Sequence, residues 1–346
     1  MSLPEPVGRP APSFGIRPPP PREIQLEVTG ACNLRCTMCL VAYRPTLSRS
    51  EGSMSFETFR AVVDDVPGLE RITLQGLGEP LLAPDLFRMI AYAAERGIRM
   101  GFNTNGTLLT RSRAVRLVRA GLGWLHISVD GATAETYESI RSGSDFDRVT
   151  RNVRGLVEAM RERSASEPEL SLVFVAMRRN VRQLPDMVRL AASWGVPRLW
   201  VQNLSHSFAD VSPMTDYRGI GEFTAAEALW TDRDGEVEDL FDRARRLADR
   251  LAIELRLPRL EERSTSRGSG TPGCDWPWRS TFVNHDGTVQ PCCMLMGADR
   301  GVLGSVRTER FGEVWDGAGY RAFRRRLLSD QPPDVCRGCS MYRGVF

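Results

Sequence analysis

The chain has 346 residues and a net charge of +3, from 46 basic and 43 acidic side chains. That length supports one large domain and a small one with an ample core, and so mild a charge gives no reason to expect a nucleic-acid or membrane partner. All the basic residues are arginine, which excludes Schiff-base chemistry, a pyridoxal lysine, a P-loop and a lysine general base.

Residues 1–22, with Pro18 to Pro21 in a row, read as a polyproline-like arm. No run approaches eighteen apolar residues and the arm has no apolar signal core, so a soluble, cytoplasmic chain is expected. Eight cysteines in such a chain point to metal rather than to disulfides.

From 23 to 205 short apolar strands alternate with amphipathic helices. Strands are expected at 23–29, 70–75, 98–103, 124–129, 170–177 and 198–204, and helices at 55–66, 84–96, 110–120, 145–162 and 181–194. Six βα repeats predict an α/β fold, a parallel sheet curled into a partial (βα)6 barrel. Chemistry in such barrels sits at the C-terminal ends of the strands.

Directly after the first strand comes Cys32-Asn33-Leu34-Arg35-Cys36-Thr37-Met38-Cys39. Three soft thiolates suit an iron–sulfur cluster or zinc. Structural zinc needs a fourth protein ligand, and no His or Cys follows within thirty residues, which favours a cubane with one iron left open. After the second strand, Gly76-Leu77-Gly78-Glu79-Pro80 lets backbone approach a ligand closely. The third strand ends in the polar turn Asn103-Thr104-Asn105-Gly106-Thr107. Period-two alternation puts His126, Ser128 and Asp130 on one face of the fourth, and the fifth ends at Val175-Ala176-Met177. Glu27 and Gln75 alternate toward the barrel interior as substrate-contact candidates, although Glu27 as a buried carboxylate needs a partner in any case. His126 is either a catalyst or a packed core histidine. Tyr43, Arg44 and Arg49 are candidates for an anionic substrate group or a solvated face.

Residues 206–272 lose the rhythm. Helical spacing runs from Glu222 to Leu251, Ile253 to Leu257 alternates like an edge strand, and Glu261 to Gly273 reads as a linker. Residues 273–346 form a second cysteine unit: Cys274, a hairpin of 282–284 and 288–290 about His285-Asp286-Gly287, Cys292-Cys293, a helix near 315–328, and Cys336-Arg337-Gly338-Cys339. Four thiols make a tetrathiolate site for zinc or iron–sulfur alike. Consecutive strand residues point to opposite faces, so Cys292 is expected to ligate with Cys274, Cys336 and Cys339. Cys293 is left as a small buried residue or as a hydrogen-atom donor to a substrate radical.

CxxxCxxC after a first strand resembles the cluster loop of the radical S-adenosylmethionine (SAM) superfamily. The order Trp276-Pro277-Trp278, Asp286-Gly287, Pro291-Cys292-Cys293, Gly304-Ser305-Val306, Trp315 and Cys336-x2-Cys339 resembles that family's SPASM/Twitch extension. The resemblance implies a [4Fe–4S] cluster on Cys32, Cys36 and Cys39 whose open iron binds SAM. It also implies one-electron cleavage to a 5′-deoxyadenosyl radical, a flavodoxin- or ferredoxin-type electron donor, and one auxiliary [4Fe–4S] cluster. Gly76 to Pro80 is similar to the family's GGEP motif, with Leu77 in place of the first motif glycine, and implies contact with the methionyl amino group through Gly76, Gly78 and Glu79. Asn103, Asn105, Ser128, Arg141 and Met177 are the further SAM contacts implied. Peptide-modifying relatives often carry a leader-binding domain of some eighty residues, which the short arm here does not match. The expected substrate is therefore a small polar molecule, a sugar, aminocyclitol or nucleoside, oxidised, epimerised or decarboxylated in antibiotic-type biosynthesis. A peptide maturase working in trans, and a zinc-bearing module binding RNA or protein, are the alternatives.

Overall fold

A computed structural model describes residues 14–44, 52–210, 217–230, 235–261, 273–295 and 300–346. Residues 1–13 of the arm, Arg49 and residues 262–272 of the expected linker lie outside the described residues.

Six parallel strands appear where the repeats place them: β1 Glu23–Leu26, β2 Arg71–Leu74, β3 Arg99–Thr104, β4 Trp124–Ser128, β5 Glu169–Val175 and β6 Arg198–Gln202. The alternating stretch after residue 252 is β7, Glu254–Arg256, which adds to β6 in parallel. The connecting helices are α1 Leu40–Tyr43, α2 Phe56–Asp65, α3 Leu86–Glu95, α4 Arg111–Arg119, α5 Ala134–Ile140, α6 Phe146–Arg161 and α7 Leu184–Trp194. Several start where a short polar side chain accepts from an otherwise unpaired amide: Ser55 from Thr58 N–H, Thr110 from Arg113 N–H and Asp145 from Arg148 N–H. Two turns of α5 are too short to show as a periodic pattern. Thr133 caps its start, and it ends at Arg141, two residues before the left-handed Gly143 (φ 91°).

Strand alternation sorts the two faces by polarity. Ile24, Leu26, Ile72, Leu74, Phe102, Leu125, Ile127, Leu172 and Phe174 are buried in the apolar layer under the helices. Gln25, Glu27, Thr73, His126 and Ser171, at the alternate positions, are buried as well, and they are polar. Apolar burial at roughly 25 cal/mol per Å2 drives the sheet–helix contact. The barrel interior, lined by groups that need hydrogen bonds, is left to chemistry.

The C-terminal cysteine unit joins the same sheet. The expected hairpin forms as β8 Phe282–Val283 and β9 Thr288–Gln290, with β10 Gly304–Ser305 on its outer edge. β8 pairs in parallel with β1, so the described strands make one ten-stranded sheet, β10-β9-β8-β1-β2-β3-β4-β5-β6-β7. Under the hairpin, α12 (Ala318–Leu328) follows α10 (Trp276–Arg279) and α11 (Phe311–Trp315); α8 is Arg218–Glu227 and α9 Glu236–Leu251. Arg324 on α12 is fully buried. It donates to the carbonyls of Pro277 and Trp315 at 2.9 Å and of Ile16 at 3.4 Å, and its guanidinium lies 4.3 Å from the Trp315 ring centre. The indoles of Trp278 and Trp315 donate to the carbonyls of Gly15 and Pro19, which pins the arm's last residues to this unit. Arg324→Leu strips two buried carbonyls and one half-buried one of their donor. It should cost roughly 3 kcal/mol or more and lower the thermal midpoint by about 5 °C or more; an unchanged midpoint would show that those carbonyls find other partners.

Candidate functional site

The cysteine loop after β1 is held open by backbone pairing with the segment that ends α5. Arg35 N–H donates to the Ser142 carbonyl at 3.0 Å and Thr37 N–H to that of Ile140 at 2.8 Å, while Cys39 N–H turns back to Cys36 at 3.0 Å. Cys39 then starts α1. Burial pushes all three thiols upward, Cys39 to about 12; Glu79 adds to the rise at Cys32, and the neighbouring thiols add to it at Cys36 and Cys39. Buried thiolates crowded in this way need positive charge among them, which a bound metal cluster supplies. The donor set therefore fits an iron–sulfur cluster.

A cavity of about 970 Å3, open to solvent, lies beside the loop. One wall is Gly76 to Glu79. A Cβ on Gly78 would sit 1.9 Å from the Thr29 carbonyl oxygen, so no other residue fits against the loop there. Glu79 is buried, and its carboxylate accepts from Thr104 Oγ1 (2.7 Å), Asn105 N–H (2.8 Å) and Leu81 N–H (3.2 Å); burial raises its pKa and these bonds oppose the rise. Asn105 in turn donates to Asn33 Oδ1 at 3.0 Å, which ties the turn after β3 to the cysteine loop. On the opposite side Arg141 pairs with the fully buried Asp130 at 2.7 Å, and its other terminal nitrogen lies 3.8 Å from Cys36 Sγ. Asp130 also accepts from Val175 N–H at 2.7 Å. The pair delivers a cation to the thiols without leaving it unpaired in the interior.

Gly76, Gly78, Glu79, Asn103, Asn105, Ser128 and Arg141 all line this cavity with Cys36 and Cys39. Met177 and His126 are not among its lining residues. Met177 packs with Ile140, Leu204 and Ala228. His126 is buried 4.3 Å from the Trp200 ring with Nδ1 3.0 Å from Asn103 Oδ1, and burial drives its pKa down to about 3. That makes it a neutral, packed imidazole. Tyr43 donates to the Thr37 carbonyl and Arg44 stacks over Tyr217, so both brace the loop. Glu27 accepts from Leu77 N–H at 2.6 Å. Ser205, His206 and Phe208 also line the cavity; they follow β6 with no motif, and only the rule that strand ends carry the site could have marked them.

The second cysteine group surrounds a cavity of about 620 Å3. Cys274, Cys292, Cys293, Cys336 and Cys339 all line it. Cys292 and Cys293 were expected on opposite faces of a strand. The strand ends at Gln290 and Cys293 opens a 3-10 turn, so alternation no longer applies and both thiols reach the same space. Gln25 is the hydrogen-bond partner of Cys293. Gln75 lines this cavity and the first one. The Cys336–Cys339 turn is fastened to the end of β6: Ser207 N–H donates to Gly338 and Ser340 N–H to Ser205.

The model of the radical SAM superfamily matches residues 26–191, and that of the SPASM iron–sulfur cluster-binding domain residues 274–340. A tungsten-containing aldehyde ferredoxin oxidoreductase cofactor-modifying protein of Pyrococcus furiosus is 26% identical over 92% of this chain and 87% of its own length. PqqA peptide cyclase of Xanthomonas campestris is 28% identical, over 93% of this chain and 80% of its own. The crystal structure of Streptococcus suis SuiB bound to precursor peptide SuiA has the same fold, with a TM-score of 0.66 at 16% identity, over 94% of this chain and 70% of that one.

These relatives overturn the expectation of a sugar, aminocyclitol or nucleoside substrate and of antibiotic biosynthesis. That expectation rested on the short stretch before β1. A peptide cyclase similar across nearly the whole of this chain makes that stretch uninformative about the substrate.

Arg141→Met would leave the Asp130 carboxylate buried without its cation, at a cost of about 3–5 kcal/mol. Adding Asp130→Asn should recover much of the loss. Urea denaturation of the two variants checks this; a double variant no more stable than the single one would mean that the pair is not what matters.

Proposed function

The chain belongs to the radical SAM superfamily, with a SPASM iron–sulfur cluster-binding domain at its C-terminal end, and from that premise we propose that it modifies a peptide supplied in trans. Its cofactors are SAM, the [4Fe–4S] cluster that binds SAM, and auxiliary iron–sulfur chemistry in the SPASM domain. Bound and reduced by an external donor of flavodoxin or ferredoxin type, they supply a radical able to take hydrogen from an unactivated C–H bond.

The remaining work falls to side chains of this chain. Cys32, Cys36 and Cys39 hold the first cluster, and Cys274, Cys292, Cys336 and Cys339 the auxiliary one. The Gly76–Glu79 turn, Asn105, Ser128 and Arg141 receive SAM: Glu79, an anion already held in place by three donors, suits an ammonium, and Arg141 suits a carboxylate.

The observation that carries the reading is Gln75, which lines both cavities. A substrate beside it lies within reach of both thiol groups. The polar interior offers neutral hydrogen-bonding groups there, Gln25 and Gln75, whose carboxamide oxygens have no partner among the described residues, and these match backbone amides better than they match charge. The peptide assignment draws its support from the similarity to a peptide cyclase.

Two experiments test it. In anaerobically reconstituted protein, Cys36→Ala should remove about four irons per chain and abolish reductive release of 5′-deoxyadenosine from SAM; retained cleavage would refute the assignment of the loop. Short peptides encoded beside the gene should raise deoxyadenosine release at least tenfold in the wild type and emerge with an altered mass. Stimulation by non-peptide metabolites alone would overturn the peptide reading.

A further inference from the structure

The hairpin turn His285-Asp286-Gly287 carries an imidazole from the C-terminal unit onto the end of β1. His285 Nδ1 lies 3.0 Å from Glu27 Oε2, with the two side chains only 12% and 9% exposed. Glu27 Oε1 is the acceptor for Leu77 N–H, at 2.6 Å. One carboxylate thus joins the hairpin to the Gly76–Glu79 turn. That turn has no slack on its other contacts. A Cβ on Gly76 would lie 2.2 Å from Glu27 Oε1, and Glu79 N–H is fixed by the Ala31 carbonyl at 2.8 Å. The hydrogen bond that His285 donates to Glu27 raises the His285 pKa against the effect of burial, and Asp286 adds to the rise. A hydrogen bond to a carboxylate this enclosed is held more firmly than an exposed one.

We propose that His285 is a positioning residue for SAM: acting through Glu27, it fixes the Gly76–Glu79 turn in the form that receives the cofactor, so the C-terminal unit completes a site on the barrel. The proposal rests on the reading of that turn as part of the SAM site. His285 is not among the lining residues of either cysteine-bearing cavity; its effect passes through one carboxylate to one backbone amide.

The test uses the full chain, reconstituted anaerobically, with SAM as the probe. Equilibrium dialysis gives the SAM Kd, and the electron paramagnetic resonance spectrum of the reduced cluster, with and without SAM, gives a signature that does not depend on turnover. His285→Ala should weaken SAM binding about tenfold and diminish the SAM-induced spectral change, at unchanged iron content. His285→Asn, whose side-chain amide can donate where Nδ1 does, should bring the Kd back to within about threefold of wild type. If His285→Ala loses iron, Gly52→Ala replaces it as the test. A Cβ there would press on His285 Cδ2 from 2.9 Å, displacing the ring without removing it, and SAM binding should weaken in the same direction.

A lowered thermal midpoint with unchanged Kd and spectrum would reduce His285 to a structural clasp and overturn the proposal, as would His285→Asn behaving like His285→Ala. Glu79→Gln separates the two levels. If it weakens SAM binding while the His285 and Gly52 variants do not, the turn is the SAM site and the role of His285 fails. If Glu79→Gln also binds normally, the reading of the turn itself is wrong.

Discussion

The pairing of β8 with β1 is the contact on which the rest of the molecule depends. Gln25 N–H donates to the Thr281 carbonyl at 2.9 Å and Glu27 N–H to that of Val283 at 2.8 Å. A barrel that stops short of closure leaves β1 with unpaired backbone groups, an edge that natural sheets cover. Here the cover is the hairpin of the second cysteine unit. The same hydrogen bonds that satisfy the edge bring Cys292 and Cys293 opposite Gln25 and swing the hairpin turn over Glu27. Edge protection and the meeting of two thiol groups are one event in this fold.

The interior that results holds charged and polar side chains. Asp130, Glu79 and Arg141 are buried beside thiols that burial keeps protonated in the absence of metal. Such groups are tolerated only when each has its partner. Asp130 has Arg141 and the Val175 amide, and Glu79 has three donors. The thiols' natural partner is the iron of a cluster. The chain therefore spends its apolar residues on the outer, helix-facing side of the sheet and keeps hydrogen-bonding capacity within.

Much of this was legible in the sequence. The three-thiol loop after a strand, the six βα repeats and the hairpin before Cys292 follow from spacing and periodicity, local properties that a linear reading captures. Contacts across the chain were not. Nothing near Asp130 announces that Arg141, eleven residues on and past a two-turn helix, folds back to neutralise it. The expected separation of Cys292 and Cys293 onto opposite faces assumed a strand that in fact ends at Gln290, three residues before Cys293, and a 3-10 turn rotates side chains differently from a pleat. Met177 lies next to the cavity in sequence terms yet faces an apolar cluster, since it falls two residues beyond the end of β5, where strand alternation no longer sets its direction. The substrate was misread for a different reason: the length of a terminal arm carries no physical information about the chamber in which chemistry occurs.

Residues 205–208 belong to two structures at once: Ser205, His206 and Phe208 are a wall of the first cavity, and the backbone of Ser205 and Ser207 is bonded to the Cys336–Cys339 turn. Two cysteine centres far apart in the chain thus share one scaffold rather than owning one each: a displacement of the Cys336–Cys339 turn is transmitted along that backbone to the cavity rim, and a displacement of the rim to the turn.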